Sequence, residues 1–190
     1  MLEQDRRYRF SVKEWHLIGD TGVFLGGPRL ELIDGEAYEK MTPGPPHLGC
    51  VNRLTRLLVP AVGRRALVSV QNPVRLDDYS EPEPDVALLH PRADDYSGAT
   101  PTGNDVYLLI EVSDSSLRFD VDFKSQRYAK AGVPALWVID LTGDEILVMT
   151  GPGPMGFATA HHARRGETLA VDDLPGAGFS VDELLGPERR

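Results

Sequence analysis

Three polar side chains stand where the surrounding sequence is otherwise built for a core: Asp85, Glu111 and Lys124. Asp85 closes Glu81-Pro82-Glu83-Pro84-Asp85, in which two prolines stiffen the backbone just before the apolar run 86–89. Glu111 follows Tyr107-Leu108-Leu109-Ile110 without a break. A carboxylate on such a strand needs a cation, a hydrogen-bond network or exposure at the strand end, because a lone buried charge is costly. Lys124 lies one turn before Tyr128 in a helical segment, so the two share a face, and its stem can lie over the sheet toward Glu111. Two acids and a lysine at one strand end suit metal-assisted phosphodiester cleavage. The cation polarises a phosphoryl oxygen and activates water, while the lysine orients that water or balances developing charge. Each residue also has a plainer reading. Asp85 fits a charged turn before an edge strand, Glu111 fits the exposed end of its strand, and Lys124 fits a surface lysine paired with Asp120. The residue types allow the chemistry without singling it out.

The elements that position these residues follow from periodicity and breakers. Ser11-x-x-Glu14 is a capping box that opens a short helix. Strands are expected at 29–34 and 36–41, joined at Asp34-Gly35, a strong hairpin signal. Pro43-Gly44-Pro45-Pro46 breaks the chain; Leu48, Val51, Leu54 and Leu58 then predict a helix over 47–59, ended or kinked by Pro60. Strands follow at 66–71, 74–76 and 85–89, and 90–104 reads as a loop. The run 105–112 fits a central strand buried on both faces, with Glu111 toward its carboxyl end, where open sheets place ligand sites. A helix over 120–131 is closed by Gly132, with Phe119, Phe123 and Ala131 toward the core. A second buried strand at 135–140 turns at Thr142-Gly143-Asp144 into 145–149, and 157–162, 167–171 and a short helix at 181–185 complete the chain. Strand, helix, strand in the middle implies a right-handed crossover between parallel strands. The expected fold class is α/β of the mixed α+β kind: a mixed central β-sheet flanked by helices, with added β-hairpins.

The 190 residues suit one domain, 1–190, with a single core. The one cysteine, Cys50, permits no internal disulfide and reads as a small buried residue, making the cytoplasm the default compartment. No apolar run is long enough to span a bilayer, and the start, with Glu3, Asp5, Arg6 and Arg7, lacks a signal-peptide core, so no membrane partner is expected. Neither a Walker A loop nor GxGxxG is present, so no nucleotide cofactor is indicated. The net charge of −9 opposes a nucleic-acid partner, although cations bound at a carboxylate site would reverse the field locally. Asp140 is either a neighbour of Glu111 or the start of a turn. Asp114, Asp120 and Asp122 are candidates for additional metal ligands, but an acidic loop and helix start explain them well. His161-His162 lies on a peripheral strand, and Trp15 and Trp137 read as core.

The order Pro84-Asp85, Glu111-Val112-Ser113 and Lys124 resembles the PD-(D/E)XK nuclease signature. More closely, the chain resembles a large bacterial family of restriction endonuclease-like proteins, long described as a domain of unknown function. The matching features are Glu31-Leu32-Ile33-Asp34-Gly35-Glu36, His47 opening a helix, Pro84-Asp85, Ile110-Glu111-Val112-Ser113, Lys124 with Tyr128, and Gly132-Val133-Pro134 leading to Leu136-Trp137-Val138-Ile139-Asp140. They span about residues 8–185. The resemblance implies a restriction endonuclease-like core and an endonuclease that hydrolyses DNA. It implies that Asp85 and Glu111 hold Mg²⁺ or Mn²⁺ with the Val112 carbonyl. It further implies that Lys124 and Glu31 complete the catalytic set, while His47, which matches the family pattern, either contacts substrate or caps its helix. Cutting both strands of a duplex favours paired sites, hence a homodimer. Ser113 stands where the simplest signature has its lysine; the family pattern places that lysine on the next helix, at Lys124. The acidic charge motivates an alternative, a catalytically inactive nuclease-fold binding or scaffold module.

Overall fold

The computed structural model describes residues 7–188; the charged start at 1–6 and the last two residues of the expected 1–190 domain lie outside the described residues. The elements run α1 (Val12–Asp20), β1 (Leu30–Ile33), β2 (Glu36–Glu39), α2 (Pro45–Val62), β3 (Leu67–Val70), β4 (Val86–Leu89), β5 (Val106–Ser113), α3 (Ser125–Lys130), β6 (Ala135–Asp140), β7 (Glu145–Gly153), β8 (Gly156–Ala163), β9 (Thr168–Ala170), β10 (Gly178–Ser180) and α4 (Val181–Leu185). Strands β3 to β8 form a six-stranded sheet in sequence order. Only β5 and β6 are parallel, joined by the α3 crossover; the other neighbours are antiparallel. This is the mixed sheet with flanking helices that the strand-helix-strand pattern predicts. β1–β2 and β9–β10 are separate antiparallel pairs.

The sheet is covered on both faces, which is why β4 is apolar throughout and β5 is apolar up to Glu111. Val86 and Leu88 of β4 and Leu108, Ile110 and Val112 of β5 pack with Leu54 and Leu58 of α2 and with α4. Ala87, Leu89 and Leu109 face Tyr128 of α3. Alternation along each strand therefore turns Asp85 and Glu111 toward the α3 face. β4 pairs Val86 with Ile110, so one further step in register sets Asp85 opposite Glu111. β4 is an interior strand between β3 and β5, not the edge strand of the plainer reading of Asp85.

Local signals account for most boundaries. Ser11 Oγ accepts from the Glu14 N–H while Glu14 accepts from the Ser11 N–H, the reciprocal cap that starts α1. Asp34 and Gly35 take φ of 53° and 80°, the two positive values a tight right-twisted hairpin demands. A Cβ on Gly35 would also sit 2.6 Å from Arg9 Cβ. α2 is longer than 47–59. Pro45 begins it, and Pro60 lies inside its last turn, where it removes one hydrogen bond while buried Leu58 and Val62 hold the helix on both sides. The expected strand at 74–76 is instead irregular: Val74 and Leu76 donate their N–H groups to Pro82 O and Ser80 O, closing a local loop, with a bridge only at Arg75. The segment before α3, Phe119–Lys124, is π-helical rather than α-helical. Phe119 and Phe123 pack on Tyr38 of β2 rather than in the core. Trp137 is buried against Phe179, whereas Trp15 is half-buried against Phe24 at the surface.

The anchoring of α2 can be tested directly. Leu54 is fully buried between α2 and the sheet. Leu54→Ala is expected to lower the unfolding free energy by about 2–5 kcal/mol in urea denaturation, the range for a large core truncation. A loss under about 1 kcal/mol would mean that α2 is not held by this contact.

Candidate active site

Asp85, Glu111, Glu31, Lys124, His47 and Val112 line one cleft of about 450 Å³ at the amino end of β4 and the carboxyl end of β5. Each arrives on a different piece of chain. Asp85 enters on the proline-stiffened approach to β4, Glu111 near the carboxyl end of β5, Glu31 on β1, His47 in the first turn of α2, and Lys124 at the end of the π-helical turn. Their burial is nearly complete: 5% exposure for Asp85, 3% for Glu111 and Glu31, 4% for Lys124.

Such burial is tolerable only because the polar atoms are paired. Lys124 Nζ sits 3.0 Å from Glu31 Oε1 and 3.2 Å from Glu111 Oε1. Tyr128 donates its hydroxyl to Glu111 Oε1 at 2.6 Å. The Glu83 N–H donates to Glu31 Oε2 at 3.2 Å. Asp85 Oδ2 accepts the Val112 N–H at 2.9 Å and lies 3.1 Å from His47 Nε2, and Asp85 Oδ1 accepts from Gln71 Nε2 at 3.2 Å. The Asp85 N–H points to Glu111 Oε2 at 3.4 Å, so the Glu111 carboxylate lies against the Asp85 backbone across the strand pair. The structure thus replaces the surface pairing of Lys124 with Asp120 by a buried ammonium shared between two strands' acids. Neither Asp85 nor Glu111 ends exposed, as their plainer readings had it.

Asp120 is a member of the cleft that sequence reasoning explained away as a helix start. It is buried, and its Oδ2 accepts from the hydroxyls of Ser113 at 2.5 Å and Ser116 at 2.6 Å. The i→i+5 bonding of the π-helical turn brings Asp120 and Lys124 inward together, and such local bulges recur at functional sites. Lys40 and Gln71 were also missed; Ser113, two residues beyond Glu111, was the one local signal of the Asp120 network. Asp140 belongs to a turn, accepting from the Thr142 and Gly143 N–H groups, away from this cleft. His162 pairs with Glu145 on the peripheral β7–β8 ribbon. Cys50 is buried in the core.

The charge balance of the cleft is negative. Burial pushes Glu111 up to about 7, against the pull of Lys124, and Asp120 and Asp85 add to the rise. Burial likewise raises Asp120. Burial alone would lower Lys124, but Glu111, Glu31 and Asp120 outweigh it and leave the ammonium firmly protonated. Burial would raise Asp85, yet its His47 contact and the Val112 N–H bring it below the usual range. His47 is raised, first by its hydrogen bond to Asp85. Its Nδ1 is buried with no partner among the described residues.

The match to the Uma2 family, described as "Putative restriction endonuclease", spans residues 23–182. The chain belongs to the Uma2 family. Among solved structures, this Uma2 member is similar to a "putative nuclease belonging to DUF820" from Anabaena variabilis ATCC 29413, with a TM-score of 0.67 and 17% identity over 83% of this chain and 90% of that one. At that identity the likeness shows a shared fold. No curated protein matches.

The raised Glu111 makes a signed prediction for the protein in a chelator. A carboxyl whose folded pKa exceeds its unfolded value favours the fold fully below about 4.5, and that contribution is lost as pH rises through about 7. Between those values the wild type is expected to lose roughly 3 kcal/mol relative to Glu111→Gln, whose side chain does not ionise. Urea titrations across that window check this. Parallel pH profiles for the two proteins would show that Glu111 is not held protonated by burial.

Proposed function

We propose that this chain is a divalent-metal-dependent endonuclease that hydrolyses phosphodiester bonds of DNA. The observation that carries the reading is the pair Asp85 and Glu111, adjacent across β4 and β5 in a cleft that also holds a buried lysine. Family membership and the nuclease fold neighbour support it. Among the described residues, no group of three or more His, Cys, Asp or Glu side chains is gathered into a metal cage. Mg²⁺ does not require one. It is commonly held by one or two carboxylates plus substrate oxygens and keeps several waters. The donor set fits: hard carboxylate oxygens, a Val112 backbone lining the same cleft, and a Glu111 held up by its burial, with Asp120 and Asp85 adding to the rise.

In this reading Asp85 and Glu111 hold the ion, with the Val112 carbonyl. A bound Mg²⁺ or Mn²⁺ supplies a Lewis acid for the phosphoryl oxygen and an acidified water. The chain's own groups prepare that site. Tyr128 and Lys124 fix one oxygen of Glu111 and leave the other turned toward Asp85. Glu31 holds Lys124 in place from the β1–β2 hairpin. Lys124 is too firmly protonated to take a proton from water, so its contribution is a fixed positive charge beside Glu111. Two copies would present two clefts to a duplex, which is the reason to propose a homodimer.

The net charge of −9 favours a second reading, a silent nuclease-fold module that binds without cutting. Plasmid cleavage separates the two. Wild-type protein with Mg²⁺ or Mn²⁺ is expected to nick or linearise supercoiled DNA, and Asp85→Ala or Glu111→Ala to slow this by roughly a hundredfold or more, the scale of losing several kcal/mol of metal stabilisation. No cutting by wild type under either metal would leave the silent module standing.

A further inference from the structure

The two lysines of the cleft differ in what their charges are free to do. Lys124 is enclosed, and its ammonium lies within 3.2 Å of two carboxylates. Lys40 extends the hairpin ladder just past β2, its N–H bonded to Arg29 O at 2.8 Å, and its side chain lines the same cleft with 13% exposure. The Lys40 ammonium donates to the Glu83 backbone carbonyl. Its nearest carboxylate, that of Glu83, is 3.8 Å away and is held more closely by Arg29 at 2.9 Å. An ammonium has three donors, so Lys40 retains hydrogen-bonding capacity, and its charge is only partly balanced by a carboxylate that it shares with Arg29. That charge acts on His47, Asp85 and Glu111, the groups beside the proposed metal position.

The walls of the cleft reinforce the difference. One wall carries Glu111, Asp114 and Asp120. The other runs from Lys40 through Met41-Thr42-Pro43-Gly44 to His47; these residues carry no acid themselves, with Glu39 bordering them at one end and Asp85 against His47 at the other. Of the six Lys and Arg in 40–76, a stretch without Asp or Glu, Lys40 is the one that lines the cleft. A phosphate chain entering the cleft is repelled by the first wall and accepted by the second.

We propose that Lys40, rather than Lys124, is the cation that contacts a phosphate of the nucleic-acid strand in the cleft. This rests on the nuclease reading above, and it divides the work between the lysines: Lys124 fixes Glu111 and Glu31, and Lys40 meets the substrate.

The test uses a fluorescein-labelled DNA duplex, with Ca²⁺ replacing Mg²⁺ to block cleavage, and reads anisotropy across a range of NaCl concentrations. Lys40→Met keeps the apolar stem, and Lys40→Gln keeps a donor for the Glu83 carbonyl. Both are expected to weaken binding about tenfold and to reduce the slope of log affinity against log salt by about one, the value of one phosphate contact. Lys40→Arg is expected to restore the slope, and thermal melting confirms that the variants are folded. A Mn²⁺ titration is expected to keep its single binding event in both uncharged variants, with affinity no weaker than wild type, since Lys40 holds no metal and its charge only opposes a cation at Asp85 and Glu111. Wild-type binding with an unaltered slope in either uncharged variant would overturn the role of Lys40 and leave the nuclease reading intact. Wild type that neither binds nor cuts DNA would overturn both.

Discussion

The structure depends on one buried cation. An ammonium removed from water is among the costliest groups a fold can enclose, and Lys124 is enclosed almost completely. It is tolerated because Glu31 and Glu111 both reach it. Those two acids come from the β1–β2 hairpin and the central strand, and Lys124 itself from the crossover segment between β5 and β6. A single charge therefore ties three separately formed pieces into one arrangement. Around it, Tyr128 fixes Glu111, Glu83 N–H fixes Glu31, and Arg127 reaches Asp34 to hold the hairpin from the same helix. Removing the ammonium would leave two carboxylates buried without compensation, which is the more expensive way to break such a set.

The same arrangement explains why Asp85 and Glu111 are kept together in spite of mutual repulsion. Antiparallel register sets them opposite one another, and the apolar faces of β4 and β5 leave neither strand free to slip by one residue without exposing its core side chains. The cost of placing them there is visible in the raised Glu111. Two acids side by side, one of them reluctant to ionise, fit the cation site proposed above.

Much of this was legible in the sequence, and the reasons are local. Asp34-Gly35 demanded its hairpin, Ser11 and Glu14 their cap, and the unbroken apolar runs before Glu111 and through Trp137 their buried parallel strands. Lys124 was legible only through family resemblance, because Asp120, one helical turn earlier, offered a sufficient surface partner. Its true partners are 13 and 93 residues away, and pairing across such distances is a property of topology. Asp120 was misread for the same reason: the π-helical turn that aims it inward has no composition of its own. Lys40 carried no signal beyond its place at the end of a strand, since its meaning depends on which wall of the cleft it occupies.

The central claim is that Asp85 and Glu111 form one divalent-cation site. Calorimetric titration of Mn²⁺ into the purified protein tests it most directly. The account expects a single binding event in the wild type that disappears in both Asp85→Ala and Glu111→Ala, with each variant still folded. Binding that survives either substitution, or no binding to the wild type, would contradict it.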